Sequence, residues 1–204
     1  MSRLRKFLIT LSAVSILALV SATAHADTIT IVGVDTGQFS TATVDCVFNS
    51  QTNTFTFTIT NTSAITQPGS TSTITAIGFD LPPLGNASAS GLNGFSGFAS
   101  GLGGNFVFSD GDLGNVPHGF NAAVLDFAFI TGSNFAGGSV NDGLAPGESM
   151  SFTVLGAAFA GFTEEEICNA IFVRFQNVNT GAGSDVGVPG TEIPEPSTML
   201  LLGT

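Results

Sequence analysis

The chain has 204 residues, among them four Lys plus Arg, 15 Asp plus Glu, 26 Gly and 19 Phe, and it has neither Trp nor Tyr. Three of the four basic residues fall in the first six positions, so beyond them Arg174 alone faces 15 acidic residues, a net charge of −14. A surface with so few cations has no basic patch for nucleic acid or anionic lipid, and the frequency of Phe, Val, Ile and Leu excludes a disordered tail.

Residues 1–26 read as an export signal. Arg3, Arg5 and Lys6 form a positive start, 7–20 is an apolar run, and Ala24 and Ala26 place small residues where signal peptidase cuts. The run is shorter than the ~20 residues a membrane-spanning helix needs. The mature chain is therefore expected to begin at Asp27.

Residues 27–180 read as one β-rich domain, long enough to bury a sizeable core. In 54–60 three apolar residues, Phe55, Phe57 and Ile59, alternate with four threonines, the pattern of a strand with one buried and one solvated face. A polar turn at 49–53 joins it to a strand at 42–48 as a hairpin. Further strands are expected at 28–34, 73–81, 106–109, 123–130, 150–155 and 171–177. In 123–130, Leu125, Phe127 and Phe129 are expected on one face, opposite Asp126. The Gly-rich stretch 91–104 reads as a long loop or as weak strands near a sheet edge. Pro82-Pro83 stops its strand by removing ladder donors. Thr163 followed by Glu166 is a capping box and predicts one short helix at 164–170, with Glu164, Glu165 and Glu166 explained by its N-terminus. Seven or eight strands of this kind predict an all-β fold, a two-sheet antiparallel sandwich (Ig-like or jelly-roll) with one short helix. The phenylalanines read as core. Residues 181–192 read as a linker.

Cys46 and Cys168 have no metal-type spacing, and in an exported chain they are expected to pair as a disulfide closing a loop of about 120 residues. A Ser-His-Asp arrangement around His118 is chemically open, but no GxSxG elbow accompanies it, and a lone loop histidine reads as solvated rather than catalytic. Asp110, Asp112 and Asn115 offer hard oxygen ligands for calcium, although the spacing is not that of an EF-hand; an acidic turn is the plainer reading.

The C-terminal residues 193–204 carry a second address. Pro194-Glu195-Pro196 is followed by Ser197-Thr198 and then the apolar Met199-Leu200-Leu201-Leu202. Together with the export signal and the Gly- and Pro-containing stretch before it, this resembles the PEP-CTERM sorting signal of Gram-negative bacteria. Only six residues follow Thr198, and no basic cluster closes the chain, so the resemblance is to an incomplete signal. The resemblance implies processing by an exosortase near the motif, transient membrane contact where the signal is complete, and a place on the cell surface or outside the cell. A structural or adhesive role in a biofilm or exopolysaccharide matrix is the leading expectation. A module binding exopolysaccharide, through its loops or the threonine-rich face of 54–60, is the alternative, and a secreted hydrolase ranks third. No cofactor other than calcium is suggested.

Overall fold

The fold is described from a computed structural model over residues 27–65, 68–82, 94–101, 103–110, 113–120, 125–178 and 183–190. The export signal with Ala24 and Ala26, the Pro194-Glu195-Pro196 motif and Asp112 lie outside these residues.

Ten antiparallel strands form the body: β1 (Asp27–Gly33), β2 (Gly37–Asn49), β3 (Thr54–Asn61), β4 (Thr73–Phe79), β5 (Phe95–Ser100), β6 (Val107–Ser109), β7 (Phe127–Ile130), β8 (Ser149–Gly156), β9 (Ile171–Val178) and β10 (Gly183–Pro189). They are hydrogen-bonded in one continuous order, β5-β8-β3-β2-β1-β10-β9-β4-β7-β6. The expected all-β class holds, with one α-helix, α1 (Glu164–Asn169), among the described residues. The expected division into two sheets does not describe the hydrogen bonding, because β1 and β10 pair and join what would be two halves. The sheet instead curls until it is nearly closed and barrel-like, with edge strands β5 and β6 in contact.

The reading of 181–192 as linker is corrected by β10, which lies in the middle of the sheet between β1 and β9. Its sequence, GSDVGVP, has weak strand propensity. Neighbours on both sides supply the hydrogen bonds that its own side chains do not predict. The Gly-rich stretch yields β5 at a sheet edge, as one of its two readings had it.

Curling brings the halves face to face. The rings of Phe55, Phe57 and Phe152, on β3 and β8, pack against Phe79, Phe127 and Phe129 on β4 and β7, with centroids 6.0 Å apart for Phe57–Phe129 and 4.6 Å for Phe129–Phe152. The aromatic interior explains why so many phenylalanines and no Trp or Tyr suffice, since no buried hydroxyl or indole N–H needs a partner.

The two outer faces differ. Over β4, β7, β9 and β10 a second apolar cluster forms, in which Leu113, Val116, Leu125 and Phe135 cover Ala76, Ala128, Ile130 and Val186. This is why β4 and β7 are buried along their whole length. Leu125 thus belongs to the outer cluster and not to the face of Phe127 and Phe129, as the alternation had suggested; it precedes the strand, where the two-residue period does not apply. Over β1, β2, β3, β5 and β8 no such cover lies among the described residues.

Helix α1 closes one end. Thr163 caps it, accepting from Glu166 N while the Glu166 carboxylate accepts from Thr163 N, as the sequence predicts. Phe48 N donates to Glu164, and Cys168 is bonded to Cys46 on β2, with Cα atoms 6.2 Å apart.

Candidate functional site

Two places concentrate polar side chains in an ordered way. The first is the bare outer face. In β3, Thr54, Thr56, Thr58 and Thr60 point outward while Phe55, Phe57 and Ile59 are fully buried. Register then places hydroxyls side by side across strands. One row runs Ser100, Ser151, Thr58, Asp45, Thr28; the next runs Ser149, Thr60, Thr43, Thr30. Neighbouring hydroxyls bond to one another, Thr58 to Ser151 at 2.7 Å and Thr60 to Ser149 at 2.6 Å. Each such pair uses one donor hydrogen and leaves the other donor and spare lone pairs for a ligand. At the edge of the same face Phe98 is 56 % exposed and Leu155 40 % exposed. Phe98 sits opposite Thr153, beside the hydroxyl rows. It departs from the expectation that the phenylalanines are core, and its Gly97 and Ala99 neighbours give no alternation from which to foresee it.

The second place surrounds His118. Buried Leu113 and Val116 seat the segment 113–120 against the sheet, and His118 turns it at φ 61°, the left-handed region that a histidine tolerates better than most residues. The turn brings the ring to Asp35, in the connection between β1 and β2, and to Ser184 on β10. Nδ1 contacts Asp35 Oδ2, and Nε2 lies 3.5 Å from Ser184 Oγ. An Asp35 carboxylate accepts only, so Nδ1 carries the ring proton and Nε2 is left to accept from the serine. The sequence reading of His118 as an isolated solvated residue is therefore corrected. Its partners lie 83 and 66 residues away, beyond any local motif.

Asp185, next to Ser184, is fully buried and also within reach of the ring. Its carboxylate accepts from Asp35 N, Thr36 N, the Thr36 hydroxyl and Val186 N. Four donors occupy all four lone-pair positions, so Asp185 pins the β1–β2 connection and has none left for a cation. Asp35, His118 and Asp185 are thus neighbours without being a built metal site.

Arg174 lies under the same place. It is 7 % exposed, and Nη1 donates to Asp185 O at 3.4 Å. Among the described residues its Nε has no hydrogen-bond partner. Burial pushes the guanidinium below its ordinary pKa, and the Asp185 charge acts against that. Of the proposed calcium ligands, Asp110 is half-buried and Asn115 exposed, with Asp112 outside the described residues. Comparison with protein-family models, with characterised proteins and with solved structures finds no match to this chain.

Proposed function

We propose that the chain is an exported protein of the bacterial cell surface or extracellular matrix, with a structural or adhesive role, and that it meets matrix polysaccharide through the outer face of β1, β2, β3, β5 and β8. The observation that carries this reading is the in-register array of Thr and Ser hydroxyls. Rows about 4.8 Å apart across strands and about 6.8 Å apart along them form a grid of donors and acceptors. A neutral polysaccharide presents the matching chemistry, hydroxyls at its rim and C–H faces above and below each ring. Phe98 offers an apolar surface on which such a face stacks. Asp45 is the charged side chain in the rows, so the face does not demand an ionic partner.

Export is supported by the residues at both ends and is compatible with the Cys46–Cys168 bond, since disulfides persist in oxidising compartments. Processing by signal peptidase at Ala26 and by an exosortase near Pro194-Glu195-Pro196 belongs to the same reading. So does the finer description of the curled sheet as two facing layers of an Ig-like or jelly-roll sandwich, for which the packing of Phe57 against Phe129 is the support.

The test is cosedimentation with an insoluble neutral polysaccharide, cellulose, and with matrix polysaccharide from the source bacterium. Binding that is lost in a Phe98→Ala, Thr58→Val, Thr60→Val variant of unchanged melting temperature is the expected result. Absence of binding to both polymers would remove the reading.

A further inference from the structure

Beyond residue 26 the chain has one histidine and one basic residue; the histidine lies against Ser184, and the basic residue is bonded to the carbonyl of the residue after it. We propose that Ser184 is an activated nucleophile and that this site hydrolyses small carboxylic esters. The proposal concerns a different place from the hydroxyl face and does not rest on its binding polysaccharide.

Three relations carry it. A nucleophile is recognised by a base within hydrogen-bond reach and a third group that orients the base. Ser184 Oγ lies 3.5 Å from His118 Nε2, a separation typical of a site without substrate, and Asp35 holds the opposite ring nitrogen. The serine is therefore on the nitrogen that can take its proton, and the carboxylate is on the nitrogen that keeps one. The third relation is the cation. Ser184 pairs with Gln176 and Val186 with Arg174, so Ser184 and Arg174 are diagonal neighbours on one face of β9 and β10, with backbones about 7–8 Å apart. The guanidinium reaches the carbonyl of Asp185, the residue after the serine, and its Nε is unpartnered among the described residues. Arg174 is too enclosed to touch a substrate, so it acts there as a buried positive charge whose field favours the negative oxygen that develops during acyl transfer.

Access and substrate class follow from the surroundings. The His118 side chain is 20 % exposed and that of Asp35 60 % exposed, so the ring edge is open to solvent. Of the apolar cluster that seats the 113–120 segment, Phe120 and Phe172 remain partly exposed, with ring centroids 5.2 Å apart. These two rings suit a short apolar acyl group. Esters fit better than amides, because an alkoxide leaves with less assistance than an amide nitrogen.

The step balances without any further redox partner. Ser184 Oγ bonds to the ester carbonyl carbon as its proton passes to Nε2, and the carbonyl oxygen becomes an oxyanion. The carbon–alkoxy bond then breaks, and the Nε2 proton leaves on the alcohol. Water attacks the acyl-serine in the same manner, giving the acid and the free hydroxyl. Asp35 is a positioning residue, which holds the ring and steadies the imidazolium.

The experiment uses the purified, oxidised chain with two probes, a fluorophosphonate and p-nitrophenyl acetate. One phosphonyl adduct per chain, mapped to Ser184, is expected, with none in Ser184→Ala. Ser184→Ala should lower ester turnover about a hundredfold or more without moving the melting temperature, and Asp35→Asn should lower kcat with little change in KM. Folded protein left unlabelled at Ser184, or Ser184→Ala turning over the ester at the parent rate, would overturn the proposal. Arg174→Met separates the role of the cation: retained labelling with reduced turnover is the expected pattern, and unchanged turnover removes its electrostatic role.

Discussion

A β-carbon on Gly33 would stand 2.2 Å from Asp185 Oδ2, so the absence of a side chain at one position makes room for the carboxylate at the other. The same methyl would lie 2.6 Å from Ser40 Cβ. Gly33 and Asp185 are thus one feature, which holds the β1–β2 connection against β10 and places Asp35 beside His118. Gly33→Ala is expected to lower stability by about 1–3 kcal/mol through overpacking. Asp185→Ala strands the amides of Asp35 and Thr36 and is expected to cost about 2–4 kcal/mol. Urea unfolding midpoints check both. A Gly33→Ala midpoint equal to the parent's would mean that the carboxylate moves aside.

The Cys46–Cys168 bond spans 122 residues of sequence and fastens α1 to β2. Cross-linking positions so far apart restricts the unfolded chain, a contribution of up to about 4–5 kcal/mol in the chain-entropy model. Reduction should lower the urea midpoint accordingly. With both sulfurs buried, the folded protein is expected to resist mild reductant until it opens. Thiol titration of unfolded, unreduced protein should detect no free thiol, and finding two would refute the bond.

Thr75 Oγ1 is buried and has no hydrogen-bond partner among the described residues. Thr75→Val keeps the shape and removes the stranded hydroxyl. The expected change is a gain of about 1 kcal/mol. A loss of stability on thermal melting would reveal a partner that this hydroxyl serves.

What the sequence revealed follows from how local each signal is. The capping box of Thr163 and Glu166 was legible because both halves lie within four residues, and the TFTFTIT alternation because a half-buried strand writes its two faces directly into the chain. β10 was hidden because its GSDVGVP sequence takes its strand character from the neighbours on both sides. The outer cluster was hidden for a related reason. Leu113, Val116 and Phe135 lie in irregular segments, and nothing in their spacing says which strand they cover. The grouping of Asp35, His118 and Ser184 joins three segments far apart in sequence. It became visible only once the sheet order placed β1, β2 and β10 together.

The helix cap gives a pH dependence of definite sign. The Glu166 carboxyl is held below its ordinary pKa, first by the Thr163 amide and then by the Thr163 hydroxyl. A carboxyl whose folded pKa is lowered contributes stability that is present above its unfolded pKa and is lost as pH falls through the folded one. Glu166→Gln should therefore flatten the acid side of the stability curve by lowering stability at neutral pH, with variant and parent converging at low pH. Thr163→Ala removes the hydroxyl half of the box and should cost about 1 kcal/mol. Amide exchange across Glu164–Asn169 reads the local effect even where global unfolding barely shifts.

Phe57 and Thr58 are consecutive in β3 and point to opposite sides of the sheet, which makes them a paired test of what each side does. The Phe57 ring touches Phe55, Phe79, Phe129 and Phe152, across both halves of the curled sheet. Phe57→Ala should cost about 3–5 kcal/mol, since rigid neighbours leave a cavity that collapses only in part. Thr58 bonds to Ser151 on a solvated face, where the alternative partner is water. Thr58→Val should stay within about 0.5 kcal/mol of the parent and should even favour the strand slightly through its β-branched shape. If stability alone explained the outward threonines, replacing all four by valine would be harmless to every property except solubility. If the grid is there to meet a polymer, the same change leaves the melting temperature in place and removes polysaccharide binding. The comparison needs one protein, one polymer and two readouts. Loss of binding without loss of stability is the outcome expected.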